Sequence, residues 1–242
     1  MQKLMLSEYQ KLKRTFTKKL VWLAPIITLF FSAILGLGTT VQNGGYNWWY
    51  IMMLPGMLTL ICAGVAQNDK KKLKYRGILS LPINPEKIWI GKIGICVFLY
   101  LISCIIFFVC VTLGGLMFGT SIPLLQSAAA SVLLFITFLW QIPLCMLLTD
   151  RLSLFITVFI NLAGNIVCSI FAAKTFCWWI PYAIPARLMC PVIKVLPNGL
   201  SVPANDPLLS TSVILPGILI TLILFIVLSV LTASSCRELE AK

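Results

Sequence analysis

NDKKKLKYRGILSLPINPEKIWIGK, residues 68–92, is the charged segment between two long apolar blocks, and it decides the fold. It carries seven basic residues against two acidic ones, and the apolar, turn-forming run GILSLPINP lies in its middle. A loop that only joins two membrane spans needs a few polar residues. This pattern therefore indicates a docking element on the cytoplasmic side. A plain basic loop that anchors the chain at the membrane surface is the alternative, and it stays open.

The composition around this segment is that of a membrane protein. Of the 242 residues, 60% are hydrophobic and 11% are charged, whereas a soluble domain has about 45–50% apolar and about 25% charged residues. The length therefore corresponds to several bilayer spans packed as one unit. We predict an all-α polytopic membrane protein in which residues 1–242 form a single transmembrane domain.

Six apolar runs are long enough to cross roughly 30 Å of hydrocarbon. They lie at about 20–41, 46–67, 88–117, 124–148, 152–173 and 213–234, with short uncharged turns near 42–46 and 119–123 and a tight turn at 149–151. The third run is long enough either to tilt or to end in an irregular turn at 114–115. The first run is too long for the apolar part of a cleaved signal peptide, so it is predicted to be an uncleaved span. The sequence thus predicts six transmembrane helices.

Two segments outside the spans have distinctive patterns. Residues 1–19 predict a basic amphipathic helix in the headgroup layer, with an apolar face formed by Leu4, Leu6, Tyr9, Leu12 and Phe16. Residues 174–212 contain six prolines, which exclude a continuous helix, and the tryptophans 178 and 179 are expected at the outer interface. Two short helical pieces that dip into the outer leaflet fit this composition. This segment is either a loop held against lipid or a gate for the substrate, and the sequence does not decide between the two.

The distribution of Lys and Arg sets the orientation. Six lie in 1–19, seven in 68–92, one in 149–151 and two in the C-terminal tail, which places 16 of the 19 on one side. Cytoplasmic loops carry this excess, so both termini are predicted in the cytoplasm. The net charge of +12 is thereby explained by the membrane, and no nucleic-acid partner is expected.

Several kinds of chemistry are excluded. The chain has no histidine, which removes His-based acid–base catalysis and His-activated nucleophiles. It has no phosphate-binding loop, because Gly91-Lys92 lacks both the upstream glycine and the following hydroxyl residue. Nine cysteines without a CxxC spacing indicate buried thiols and no metal site. Cys177 and Cys190 could pair if their loop lies outside the cell.

The polar side chains inside the predicted spans are Gln141, Asn161, Asn165 and scattered serines and threonines. Asn161 and Asn165 are four residues apart and share one helix face. They either form interhelical hydrogen bonds, each well under ~2 kcal/mol, or line a transport path together with Gln141, Trp178 and Trp179. Ion-driven carriers generally have ionisable residues inside their spans. No acidic residue lies in any predicted span of this chain, which argues against such a carrier.

Together these features resemble the permease of a type-2 ABC exporter. The run EYQKLKR at 8–14 resembles the family's opening pattern, and RGILSLPI at 76–83 followed by WIGK at 89–92 resembles its G-x-L-x-x-x-P-I and W-x-x-K motifs. IPYAIPAR at 180–187, followed by PNG at 197–199, is similar to lantibiotic-immunity permeases of the EpiE/MutE type.

This resemblance implies a bacterial plasma-membrane complex of two permeases, often two different ones, and two copies of a separate ATPase that binds ATP and Mg²⁺. A cytoplasmic coupling helix is implied between spans 2 and 3, and re-entrant helices between spans 5 and 6. The coupling loop would contact the ATPase through Tyr75, Arg76, Leu79 and Leu81. The implied substrate is a cationic amphipathic lanthionine peptide. Two alternatives stay open: a permease for another amphipathic antibiotic, a lipid or an ion, and a non-transporting assembly subunit. An intramembrane protease is not expected, because its sequence motifs are absent.

Overall fold

The computed structural model describes residues 2–12, 15–35, 41–73, 85–172 and 176–238. Ten α-helices lie in these ranges: α1 Gln2–Lys11, α2 Phe16–Leu35, α3 Val41–Trp48, α4 Leu54–Leu73, α5 Pro85–Phe118, α6 Leu124–Phe138, α7 Gln141–Arg151, α8 Leu154–Ala172, α9 Ile184–Ile193 and α10 Ile214–Glu238. A π-helical turn, Trp49–Met53, joins α3 to α4. The predicted all-helical architecture is confirmed within these ranges.

Five helical segments are long and apolar enough to cross a membrane: Phe16–Leu35, Val41–Gln67, Pro85–Phe118, Leu154–Ala172 and Thr211–Ser235. Helices α6 and α7 form a sixth if the pair, bent by 41°, is counted as one span. The structure therefore contains five or six spans. The charged turn predicted at 149–151 is the last turn of α7, and the chain reverses after it, at residues 152–153.

The N-terminal segment is not the single helix that its pattern predicted. Helix α1 ends at Lys11, and both the backbone N–H and the hydroxyl of Thr15 donate to the carbonyl of Leu12. This turn separates α1 from α2, so residues 16–19 belong to the first span. The predicted apolar face is also divided: Leu12 is buried and Tyr9 packs edge-to-face on Phe98 of α5, with ring centroids 6.4 Å apart, whereas Leu6 and Phe16 are exposed.

The glycines of the predicted turns serve helix packing. Gly114 and Gly115 lie inside α5, where a Cβ atom would come 2.7 Å from Leu29 Cδ1 and 2.1 Å from Gln42 Nε2, respectively. The segment 42–46 is likewise helical, as part of α3. The turn predicted at 42–46 was therefore wrong. At 114–115 the helix continues, so of the two possibilities left open by the sequence the irregular turn is absent, and the missing side chains permit close approach of Leu29 and Gln42.

Residues 174–212, here called the outer segment after their predicted side of the membrane, were expected to form two short helical pieces; their described part contains one α-helix, α9, and two 3-10 turns. Helix α9 packs against α6 and α8, and eight of its ten residues are buried. The chain then forms two 3-10 turns, Pro207–Leu209 and Thr211–Val213. Cys177 and Cys190 are both free thiols, and the Sγ of Cys190 faces the Ala186 carbonyl of its own helix at 3.6 Å. The disulfide considered from the sequence is therefore absent from this structure.

Side-chain hydrogen bonds that start from helix residues are found at both ends of the bundle. At one end, Arg151 Nη2 donates to Ser235 Oγ at 2.6 Å. At the other, Gln42 Oε1 accepts hydrogen bonds from the backbone N–H groups of Ser121 and Ile122, at 2.8 and 2.9 Å. Asn47 at that second end donates to the carbonyl of Pro197 in the outer segment, at 2.7 Å. The orientation relative to the cell stays a prediction from the Lys and Arg distribution.

Candidate functional site

Helix α8 carries its polar residues toward the protein and its apolar residues outward. Thr157, Asn161, Asn165 and Ser169 recur every four residues and are buried. The outward face is apolar and includes Phe155, Ile156, Phe159, Ile166 and Ile170. Because lipid offers no hydrogen bonds, polar groups in a span must be satisfied inside the bundle. The candidate polar site therefore lies on the inner face of α8.

Asn165 compensates for a proline in the neighbouring span. Pro55 has no N–H, so the carbonyl of Ile51 lacks its α-helical donor, and the carbonyl of Tyr50 lacks its π-helical donor. The Asn165 side chain replaces both, since its Nδ2 donates to Tyr50 O and to Ile51 O at 2.8 Å each. The polar side chain of Asn165 thus supplies the hydrogen bonds that the backbone around Pro55 lacks.

Asn161 joins three helices one turn away. Its Nδ2 lies 3.2 Å from Pro55 O and 2.8 Å from Thr59 Oγ1 on α4, and 3.0 Å from Gln141 Oε1 on α7. The Thr59 hydroxyl donates to Pro55 O at 2.7 Å, which leaves its oxygen free to accept from Asn161. The interhelical hydrogen bonds expected for the asparagines are therefore present in the structure.

Gln141 is positioned by a second proline break. Pro143 cannot donate to the carbonyl of Leu139, which accepts instead from the N–H of Ile142 at 3.0 Å. This tightened turn joins α6 to α7, and Gln141 lies within it as the first residue of α7. Two proline-broken helices, α4 and α7, thus meet α8 at one polar cluster, which consists of Thr59, Gln141, Asn161 and Asn165.

Several atoms at this polar cluster keep hydrogen-bonding capacity. Gln141 Nε2, Asn161 Oδ1, Asn165 Oδ1 and the neighbouring Trp140 Nε1 are buried, and each has no hydrogen-bond partner among the described residues. Buried polar atoms of this kind need an explanation beyond helix packing. The cluster has no titratable side chain, so it is suited to hydrogen-bond a polar group or to lock the helices. Within the described ranges, no group of three or more His, Cys, Asp or Glu side chains is placed to hold a metal ion.

The two predicted tryptophans differ in position from the three amides. Trp179 is 57% exposed, and its indole N–H donates to Phe176 O at 3.1 Å, while Trp178 is partly buried in the same turn. The outer segment approaches the polar cluster through Tyr182 instead, whose ring packs edge-to-face on Trp140 at 4.7 Å. A role of these residues in a transport path stays a prediction. The predicted ATPase contacts Tyr75, Arg76, Leu79 and Leu81 lie outside the described residues.

Sequence reasoning missed Thr59. It placed Tyr182 at the outer interface without a contact to the amides, and it used Arg187 only as a loop charge and as part of the motif at 180–187. Arg187 is 3% exposed, and its guanidinium donates to Leu208 O at 2.6 Å and to Pro207 O at 3.5 Å. Desolvation lowers the pKa of Arg187 from its usual value. Its role is to hold the 3-10 turn against α9. The proline at 55, four residues before Thr59, was a usable sequence signal for the irregular turn.

The two outer cysteines give a test of this arrangement. Burial raises the pKa of Cys190 to about 11, so at pH 8 its thiolate fraction is on the order of 0.1%. We expect maleimide to label Cys177, which is partly exposed, and to leave Cys190 unlabelled at pH 8, with peptide-resolved mass spectrometry as the measurement. If the two thiols were bridged, Cys177 would be labelled only after reduction, and adding a reductant is the control.

Comparison with known proteins gives one family. The sequence model described as ABC-2 family transporter protein matches residues 4–173, which include α1 to α8 and all four residues of the polar cluster. No curated protein and no solved structure matches the chain.

Proposed function

This chain belongs to the ABC-2 family of transporter proteins, and from that membership we propose that it is the permease of an ATP-driven exporter for a lantibiotic-type antimicrobial peptide. The exporter removes the peptide from the membrane and so gives immunity to the cell. The observation that carries the proposal is the combination of a family-typical set of spans with the outer motif IPYAIPAR at 180–187. That motif resembles the lantibiotic-immunity permeases more narrowly than it resembles the wider class.

The energy comes from a partner. The sequence has no phosphate-binding loop, so two copies of a separate ATPase bind ATP and Mg²⁺, and the closure of the ATPase pair is transmitted through the coupling loop. Tyr75, Arg76, Leu79 and Leu81 form the contact, as an apolar patch inside a basic segment.

The substrate is taken from the membrane, and the outward surface of the permease suits this. Among the described residues, large exposed apolar side chains are numerous on the spans α2, α5, α8 and α10. Such surfaces pack against lipid or against a second permease of similar fold, which completes a heteromeric pair. The polar cluster beneath α8 offers unpaired amide atoms to a polar group of the peptide, and the outer segment controls release.

A pull-down tests the complex. Tagged protein is purified in detergent from its native host, and the co-purifying proteins are identified. We expect a stoichiometric ATPase and a second small permease. A parallel sensitivity assay compares cells with and without the chain against a lanthionine peptide and a non-lanthionine amphipathic antibiotic. Protection against the second compound alone assigns the chain to the wider class, and absence of any ATPase contradicts the proposal.

Arg76→Glu separates docking from surface anchoring. Lys72→Glu makes the same change in charge within the basic run, away from the apolar patch. If the loop only attracts anionic lipid, both variants lose roughly 1–2 kcal/mol of surface attraction and behave alike. Docking predicts that Arg76→Glu abolishes ATPase co-purification and resistance, while Lys72→Glu keeps both. If the two variants show equal ATPase co-purification and equal resistance, the proposed docking contact at Arg76 is contradicted.

A further inference from the structure

Helix α5 begins at Pro85, so residues 85–92 of the segment predicted as the coupling loop are its first two turns, and these turns are buried on one side. Trp89 and Lys92 are three residues apart, and their exposed fractions are 6% and 4%. The Trp89 indole N–H donates to the hydroxyl of Thr232, near the C-terminal end of α10, at 3.0 Å. The loop exit is therefore joined by a buried hydrogen bond to the last span.

A second bond reaches the same end of α10. Arg151 ends α7 and donates to Ser235 at 2.6 Å. Thr232 and Ser235 are three residues apart, on adjacent positions of one helix face. Both cytoplasmic connections whose ends the structure describes are thus tied to the last turns of α10.

The other end of α10 lies against the outer helix. A Cβ atom on Gly217 would come 2.8 Å from Leu188 Cδ1 and 3.1 Å from Ile184 Cγ2, both on α9. Gly217 and Thr232 are fifteen residues apart in a continuous helix, a distance of about 22 Å. The one proline in α10, Pro216, is its third residue, where its missing N–H breaks no helical bond.

Helix α10 has one face against the protein and one face toward lipid. It packs along α5, α6 and α7, and Thr221 in its first half is buried. The opposite face is exposed along the whole span and includes Leu215, Leu219, Ile223, Ile226 and Val230. Because the helix is long and unbroken, a displacement at one end is transmitted to the other end.

We propose that α10 is a transmission rod, which carries displacement of the coupling loop through the Trp89–Thr232 hydrogen bond to α9 and the outer segment. Trp89 and Thr232 are positioning residues, because they act through α10 and touch neither substrate nor nucleotide. This inference rests on the proposed function, since it needs an ATPase that moves the loop.

The test removes the hydrogen bond without leaving a buried donor. The double variant Trp89→Phe/Thr232→Val replaces both partners by apolar groups, so that neither the donor nor the acceptor of this bond is left buried and unpaired. Thr221→Val is the matched control, because the Thr221 hydroxyl donates only within α10, to Gly217 O and Ile218 O. The conservative variant Thr232→Ser keeps the hydroxyl. The readout is the rate at which maleimide labels Cys177 in the outer segment, with and without ATP, in the complex that contains the ATPase.

In the parent complex, we expect ATP to change the Cys177 labelling rate by about fivefold, the factor that corresponds to roughly 1 kcal/mol. The double variant loses this change while it still binds the ATPase and hydrolyses ATP, and Thr221→Val and Thr232→Ser retain it. Retention of the full change in the double variant overturns the inference. So does a parent complex that hydrolyses ATP with no change at Cys177. Absence of the ATPase from the complex counts against the proposed function itself, so the two failures are distinguishable.

Discussion

Asn165→Leu is expected to lower the free energy of unfolding by roughly 2 kcal/mol, because it leaves the carbonyls of Tyr50 and Ile51 without donors. A buried carbonyl that loses its partner costs about 1–3 kcal/mol in soluble proteins, which sets an upper value of roughly 6 kcal/mol for two. Hydrogen bonds in membrane proteins average about 0.6 kcal/mol, since the unfolded chain in lipid also finds partners. Pro55 keeps both carbonyls unpaired even in an isolated span, so we place the cost between these limits. Thermal unfolding in detergent measures it.

Pro55→Ala provides the matched test of the cause. Alanine supplies an N–H to the carbonyl of Ile51, so Asn165→Leu should cost less in the Pro55→Ala background than in the parent. Ile166→Leu, at the neighbouring exposed position, controls for substitution within α8 and should be close to neutral. An equal cost of Asn165→Leu in both backgrounds would contradict the compensation between Asn165 and Pro55.

Gly115→Ala is expected to destabilise the outer end of the bundle by roughly 2–3 kcal/mol, although an alanine inside a helix normally stabilises by about 1 kcal/mol. The new Cβ would lie 2.1 Å from Nε2 and 2.5 Å from Cδ of Gln42, so the whole carboxamide must move. That group accepts from Ser121 N and Ile122 N and donates to Val111 O at 3.3 Å. Loss of three buried hydrogen bonds at about 1 kcal/mol each outweighs the gain in helix propensity.

Gly44→Ala is the control for this prediction. Gly44 lies in α3, and the nearest atom to a Cβ there is Ser32 Cβ at 3.8 Å, an ordinary contact. Gly44→Ala should therefore leave the thermal midpoint unchanged or raise it. In the Gln42→Ala background, Gly115→Ala should cost little, because the displaced carboxamide is already gone. A full cost in that background would show that some other contact of Gly115 matters.

The sequence indicated the amide residues of the polar cluster but not their hydrogen-bond partners. Gln141, Asn161 and Asn165 stand out as amides in apolar runs, and polar groups in lipid require partners. Their partners could not be found from the sequence, since Tyr50 and Ile51 contribute backbone carbonyls and carry no polar signature there. The orphaned carbonyls follow from Pro55 alone, but the donor that reaches them lies more than a hundred residues away.

The sequence by itself determined the class of the protein, its apolar spans and the basic segments that flank them. These are local quantities, because a run of about 20 apolar residues spans the hydrocarbon whatever it packs against. Only the tertiary structure decided which groups meet. The sequence left open whether the span ends in a turn at Gly114 and Gly115, and the structure shows that these glycines make room for Leu29 and Gln42. The N-terminal helix ends before Thr15 donates to the carbonyl of Leu12. Trp89 acquires a partner only when α10 is placed beside it. Packing contacts join residues that are distant in sequence. The periodicity of side chains along one helix shows which face is buried, but it does not show which helix packs against that face.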